Sequence, residues 1–293
     1  MEKHQKAERK ERSSGVTPYL IIALIIIVVE TGFIAYLLAK GTMTVQPLPS
    51  PDNQQPPPPE PPPVTGPALR QTGDVEFTTS DGVIIKGTLS FPSEYKDAYP
   101  VVILVHQLSG SRHQWDSFAP TLLGQGYAVL AYDIRGMGES TMSFSNGQEV
   151  PYVKHPVDRL YRDSMIGDMR AALDFVLARQ DIVGNRIAVM GASLGANIAY
   201  VSSGAYPEVK TSIALSAENT GGGALSGSTI NNFNPHGIFF LSDNFEGPDA
   251  RDLYSISDDP RKVNIYPGPS HGIGLLTKPE VVRDILEWLS VNS

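Results

Sequence analysis

Residues 187–195 read Ile187-Ala188-Val189-Met190-Gly191-Ala192-Ser193-Leu194-Gly195, and this stretch decides the fold. Its first four residues are apolar, as in a strand buried on both faces. They run without a spacer into G-x-S-x-G, and a stretch of helical period follows at Asn197–Ala205. In that setting the serine occupies a tight strand-to-helix turn, and the glycines two before and two after it let the chain bend without side-chain clashes. The Ser193 hydroxyl is thereby presented at the carboxyl edge of a sheet, beside the positive end of a helix.

Outward from this turn the pattern repeats. Val75–Thr79 and Val83–Phe91 read as two strands joined by a Ser-Asp-Gly turn. Further strand-like runs lie at Val101–Val105, Ala128–Tyr132, Thr211–Leu215, Ile238–Leu241 and Val263–Tyr266. Stretches of helical period fall between several of them, at Trp115–Gln125 and Arg162–Arg179, and another closes the chain at Pro279–Leu289. An opening hairpin followed by strands alternating with helices predicts an α/β domain, a mainly parallel central sheet with helices on both faces.

A serine hydroxyl needs a base to become a nucleophile, and histidine is the usual one. Of six histidines, His4 lies near the N-terminus, His106 and His113 near the third strand, and His155 in an insertion. His236 precedes a strand rather than following one. His271, in Pro269-Ser270-His271-Gly272, follows the last strand and precedes the final helix, so its loop opens at the same edge as Ser193. The sequence therefore pairs Ser193 with His271.

From about residue 70 to the end the chain resembles the α/β-hydrolase superfamily, in its dienelactone-hydrolase-like and serine-aminopeptidase-like branch. The matching stretches are LVHQLSGSRHQW (104–115), YDIRGMGES (132–140), GASLG (191–195) and PSHG (269–272). The resemblance implies a central sheet of about eight strands and an oxyanion hole of two backbone amides, assigned to Leu194 and Leu108. Gln107 stands where the family commonly has glycine. His106 and Asp133 are expected to hold these loops in shape rather than react.

The resemblance also implies a carboxylate after the strand that precedes the histidine's strand. There the sequence reads Ser242-Asp243-Asn244-Phe245-Glu246-Gly247-Pro248-Asp249. The family's acid commonly sits about five residues past the strand, which points to Glu246. Asp243 is the close alternative, Asp249 is expected to cap the next helix, and Glu218 after the preceding strand is a further candidate. Whichever of Glu246 and Asp243 is not the acid is expected to matter far less, as a solvated loop carboxylate.

The implied chemistry is that of a serine hydrolase of esterase type acting through an acyl-enzyme on a small-molecule ester or amide. A peptidase or amidase using the same triad, and an inactive hydrolase-fold binding domain, are the alternatives. No cofactor or metal is expected. The Ser/Asn/Gly-rich loop 217–234, with Gly221-Gly222-Gly223, lacks the apolar periodicity of a helical lid. The insertion Thr141–Leu160, with Phe144, Tyr152 and His155, is a candidate pocket wall.

The N-terminal quarter has a different composition. Residues 1–17 are polar and carry Lys3, Lys6, Arg9, Lys10 and Arg12, whereas residues 18–38, PYLIIALIIIVVETGFIAYLL, are almost wholly apolar. As a helix, this segment is about 31 Å long, the thickness of a bilayer's hydrocarbon core. The basic residues before it predict a cytoplasmic tail at 1–17, a single transmembrane helix at 18–38 and a domain outside. Glu30 interrupts the span. Residues 39–68 form a linker: eleven of the chain's 24 prolines fall within 45–67, a composition that favours extended polyproline II over helix or sheet. The hydrolase domain is then 69–293.

Charge excludes one class of partner. The 293 residues carry 31 acidic and 23 basic groups, and the net −8 falls entirely beyond residue 68. So acidic a domain is a poor fit to nucleic acid. The absence of cysteine rules out disulfides and thiolate chemistry. Neither the oligomeric state nor the natural substrate is legible in the sequence.

Overall fold

A computed structural model of the chain describes residues 72–141, 159–219 and 235–293, all within one unit, Val64–Ser293. The expected tail, transmembrane helix and proline-rich linker lie outside the described residues, as do almost all of the 141–160 insertion and most of the 217–234 loop. Among the described residues no helix is long and apolar enough to cross a membrane.

Eight strands form one sheet: β1 (Gly73–Thr78), β2 (Ile84–Ser90), β3 (Tyr99–Val105), β4 (Ala128–Tyr132), β5 (Ile182–Ala192), β6 (Val209–Leu215), β7 (Ile238–Asp243) and β8 (Arg261–Tyr266). Their order is β1-β2-β4-β3-β5-β6-β7-β8. The β1–β2 and β2–β4 pairs are antiparallel, and every later pair is parallel. The opening hairpin turns where Thr79 Oγ1 accepts from Val83 N at 2.9 Å, with Gly82 at φ +87°.

The helices are α1 (Ala119–Gly124), α2 (Arg159–Leu177), α3 (Leu194–Ala205), α4 (Gly247–Ser255) and α5 (Pro279–Asn292). The stretch expected to be helical from Trp115 splits: Arg112–Trp115 is a 3-10 turn and α1 begins only at Ala119, one residue before Pro120. Proline is well placed there because the first helical turn needs no N–H from it.

Alternation along the strands shows why the sheet is covered on both faces. Ile187 and Val189 of β5 pack into one core with Met165, Met169, Leu173 and Ile198 from α2 and α3. Ala188 and Met190 enter a second core with Trp115, Leu122, Ile285 and Trp288. Each fully buried side chain of this size contributes roughly 1.5–3 kcal/mol. Successive side chains of one strand feed opposite cores, so the buried half of β5, Ile187–Ala192, carries no polar side chain, while Asn185 and Arg186 before it are exposed. In β7, Phe239 packs against Trp288 with ring centroids 5.4 Å apart, and the Trp288 indole N–H donates to Thr211 Oγ1 at 2.7 Å.

Registers place the strand ends together. Val105 lies opposite Gly191, Ala192 opposite Leu215, Leu215 opposite Leu241, and Asp243 opposite Tyr266. The loops that leave β3, β5, β6, β7 and β8 therefore open along one edge, where parallel α/β sheets bind their ligands.

Candidate active site

Ser193 joins β5 to α3 with φ 52° and ψ −114°, a conformation that L-residues other than glycine rarely hold. Two backbone bonds hold it there: Ser193 N donates to Leu215 O at 2.8 Å, and Asn197 N donates to Ser193 O at 3.1 Å. The flanking glycines are required by space. A Cβ on Gly191 would lie 1.9 Å from Gly195 O, and a Cβ on Gly195 would lie 2.2 Å from Val105 O. The first turn of α3 thus sits directly on the end of β3, which brings the loop after β3 to the nucleophile.

Both expected oxyanion donors are at this junction. Leu194 is the first residue of α3, in the turn whose N–H groups have no intrahelical acceptor. Leu108 lies three residues past β3 and packs its side chain on the core. The loops around them are braced as expected. His106 is fully buried; its Nε2 accepts from Ile134 N at 3.0 Å and its Nδ1 lies 2.7 Å from Gln107 O. Burial lowers the His106 pKa, so the ring is neutral, protonated on Nδ1, and a clamp between two loops. Asp133 accepts from the backbone N–H of Arg112 at 2.6 Å and of Glu139 at 2.9 Å, and pairs with the buried Arg112 guanidinium.

Across the edge, His271 Nδ1 lies 2.6 Å from Glu246 Oε1. Of the two leading carboxylates, Glu246 is the one the structure brings to the histidine. Asp243 is in a different position. It is only 4% exposed, and its Oδ1 accepts from Phe245 N and Glu246 N, both at 2.9 Å. Its Oδ2 accepts from Ser270 N at 2.9 Å. Burial would raise the Asp243 carboxyl, but these amides and the nearby His271 outweigh it and hold the pKa below the ordinary aspartate value. The expectation that the second carboxylate is a solvated loop acid is therefore corrected: Asp243 is buried and fully engaged.

Two other candidates are elsewhere. Asp249 falls within the first turn of α4, and the cap position belongs to Glu246, so the expected capping role of Asp249 does not hold. Glu218 is exposed, and its backbone N–H donates to Asn197 Oδ1 at 3.1 Å.

Sequence reasoning missed Ser216. This residue is fully buried just past β6, at φ 56°, and its Oγ accepts from Gly272 N at 2.9 Å. Gln107 also reaches this loop: its Oε1 is 3.5 Å from Ile273 N and fills the space a Cβ on Gly272 would need. The signal for Ser216 is its position at the carboxyl end of a predicted parallel strand, next to that of Ser193.

Residues 100–254 match the family model described as alpha/beta hydrolase fold, more than half of the chain. The chain belongs to the α/β-hydrolase-fold family. Among curated proteins it is 31% identical over 110 residues to epoxide hydrolase B of Mycobacterium tuberculosis, a match covering 37% of this chain and 26% of that one. The chain thus spans about a quarter of that relative's length. Among solved structures it is similar to the alpha/beta hydrolase GrgF from Penicillium sp. sh18, with TM-score 0.60, 14% identity and coverage of 76% and 99%. It is also similar to dienelactone hydrolase from Anabaena variabilis, with TM-score 0.58, 17% identity and coverage of 76% and 98%.

Proposed function

We propose that this domain is a serine hydrolase that cleaves a carboxylic ester of modest size through an acyl-enzyme on Ser193. The observation that carries the reading is the His271–Glu246 contact of 2.6 Å at the sheet edge from which Ser193 projects. In the reaction, Ser193 Oγ attacks the ester carbonyl carbon as His271 Nε2 takes the hydroxyl proton. The tetrahedral oxygen is met by the amides of Leu108 and Leu194, each worth about 3–4 kcal/mol of barrier lowering. His271 returns the proton to the departing alcohol. Water then attacks the acyl-enzyme, again giving its proton to His271, and the carboxylic acid leaves with Ser193 restored. Glu246 accepts from Nδ1 and holds the imidazole in the tautomer this cycle needs. A modest substrate is favoured because residues 217–234 lack the apolar period of a helical lid.

The same proposal includes a tether. Residues 18–38 anchor the chain as a single-pass helix, with 1–17 cytoplasmic and the hydrolase domain held outside on the proline-rich segment. The enzymatic reading is tested by labelling wild type and Ser193→Ala with a fluorophosphonate probe, followed by a panel of esters and amides. Labelling of wild type alone, with turnover of short-chain esters, is the expected result. Labelling that survives Ser193→Ala rejects Ser193 as nucleophile. Amide turnover above ester turnover moves the activity to the peptidase or amidase class.

A further inference from the structure

Glu246 is held to His271 by one side-chain bond and little else. Its Oε2 is buried and, among the described residues, has no hydrogen-bond partner. The 2.6 Å contact therefore depends on where the backbone of each loop is placed. Both backbones are gripped by the same carboxylate. Asp243 Oδ1 takes the N–H groups of Phe245 and Glu246, and Asp243 Oδ2 takes the N–H of Ser270, the residue before His271. Asp243 itself is fixed as the last residue of β7, opposite Tyr266 at the end of β8.

We propose that Asp243 is a positioning residue of the triad: one buried carboxylate clasps the acid loop and the histidine loop and so sets Glu246 against His271. This rests on the serine-hydrolase reading and deepens it. Only a carboxylate suits the place. Three N–H donors converge on it, and it offers two oxygens with lone pairs for all of them. An asparagine has one acceptor oxygen, and its NH2 would point at another donor, so one loop must be released. A buried N–H without an acceptor is costly enough that the loop moves rather than leave it unpaired.

The test is a double-substitution cycle on the full-length chain with a short-chain nitrophenyl ester, using Asp243→Asn, Glu246→Gln and the pair. Asp243→Asn is expected to lower kcat by about 10- to 100-fold, the cost of displacing a catalytic group by about an ångström, while KM stays within about threefold. Fluorophosphonate titration should still count one reactive Ser193 per chain. In the Glu246→Gln background the same change should cost less than about threefold, because the contact it positions is already gone. A purely structural role predicts the same loss in both backgrounds. The downfield proton resonance of the His271 Nδ1–H hydrogen bond should move upfield or broaden in Asp243→Asn. If Asp243→Asn does not fold, Asp243→Ser, which keeps one acceptor oxygen at the site, carries the same cycle. An unchanged kcat, or losses that multiply in full, overturns the assignment while leaving the hydrolase reading in place. Failure of wild type to label at Ser193 overturns both.

Discussion

His271 Nδ1 and Glu246 Oε1 are 2.6 Å apart, although 25 residues separate them and they leave the ends of two adjacent strands, β8 and β7. The spacing is that of a charge-assisted hydrogen bond. It engages Nδ1 of His271 and leaves Nε2 free of this carboxylate, as the proposed proton transfer from Ser193 requires. The histidine side chain is 43% exposed and Glu246 29%, so the pair is reached by solvent.

Glu246→Gln should therefore lower kcat for a short-chain ester by about 10³- to 10⁴-fold with little change in KM. The amide preserves shape but loses the charge and can favour the wrong imidazole tautomer. Steady-state kinetics at neutral pH checks this. Retention of more than about a tenth of wild-type kcat would show that another group orients His271.

The strand-to-helix turn at Ser193 makes a second prediction from space alone. Gly191→Ala and Gly195→Ala introduce a Cβ 1.9 Å and 2.2 Å from backbone oxygens, and backbone cannot give way cheaply in a packed sheet. Each should displace Ser193 from the amides of Leu108 and Leu194 and cost at least about 100-fold in probe-labelling rate. Far-ultraviolet circular dichroism, run alongside, distinguishes local displacement from unfolding. Wild-type labelling in Gly195→Ala rejects the close approach of α3 to β3, and in Gly191→Ala that of α3 to the end of β5.

The sheet was legible because its signal is periodic. All eight strand-like runs appear: the inner strands such as β3, β4 and β7 are buried on both faces and leave continuous apolar segments, whereas β2 of the opening hairpin shows as an alternation of buried and part-exposed residues. Ser193 and His271 were read at strand ends, which is where the structure has them, and the family's spacing favoured Glu246 with Asp243 a close alternative; the structure sets Glu246 2.6 Å from His271. The bracing was legible only in part: His106 and Asp133 were expected to hold their loops, and the rest was not. Nothing in the sequence says that Ser216 Oγ takes Gly272 N–H, or that Asp243 is buried rather than solvated. Those facts depend on which loop backbones meet, and loop conformation leaves no periodicity to read. The same holds for Arg112 and Arg135, each nearly buried and paired with a fully buried carboxylate, Asp133 and Asp168.

Topology gives a third prediction. With five basic residues before residue 18 and only Lys40 just beyond residue 38, protease added to intact cells should cut in the proline-rich segment and release a soluble, probe-reactive domain. Immunoblotting of the supernatant reads the outcome. Digestion only after lysis places the domain in the cytoplasm and reverses the orientation.

The final prediction concerns acid stability. Asp284 in α5 is 8% exposed and accepts from Tyr266 Oη at 2.8 Å, Asn264 Nδ2 at 2.8 Å and Arg283 Nη2 at 2.9 Å. Burial alone would raise its carboxyl, but these donors outweigh burial and hold it below the ordinary value of 3.8. A carboxyl depressed in the folded state contributes stability that is present above the unfolded value and lost as pH falls through the folded one. Asp168 works in the opposite sense: burial, only partly offset by Arg135, pushes it up to about 6, so its contribution fades as pH rises toward that value. The informative quantity is therefore the Tm difference between wild type and Asp284→Asn across pH. At pH 7 the variant should be less stable by about 1.5–3 kcal/mol, the range for hydrogen bonds to a charged group. The gap should narrow as pH falls below about 4, because wild type loses there what the variant never had. A gap that stays constant down to pH 2 would assign the loss to packing at α5 instead of to the ionised carboxylate.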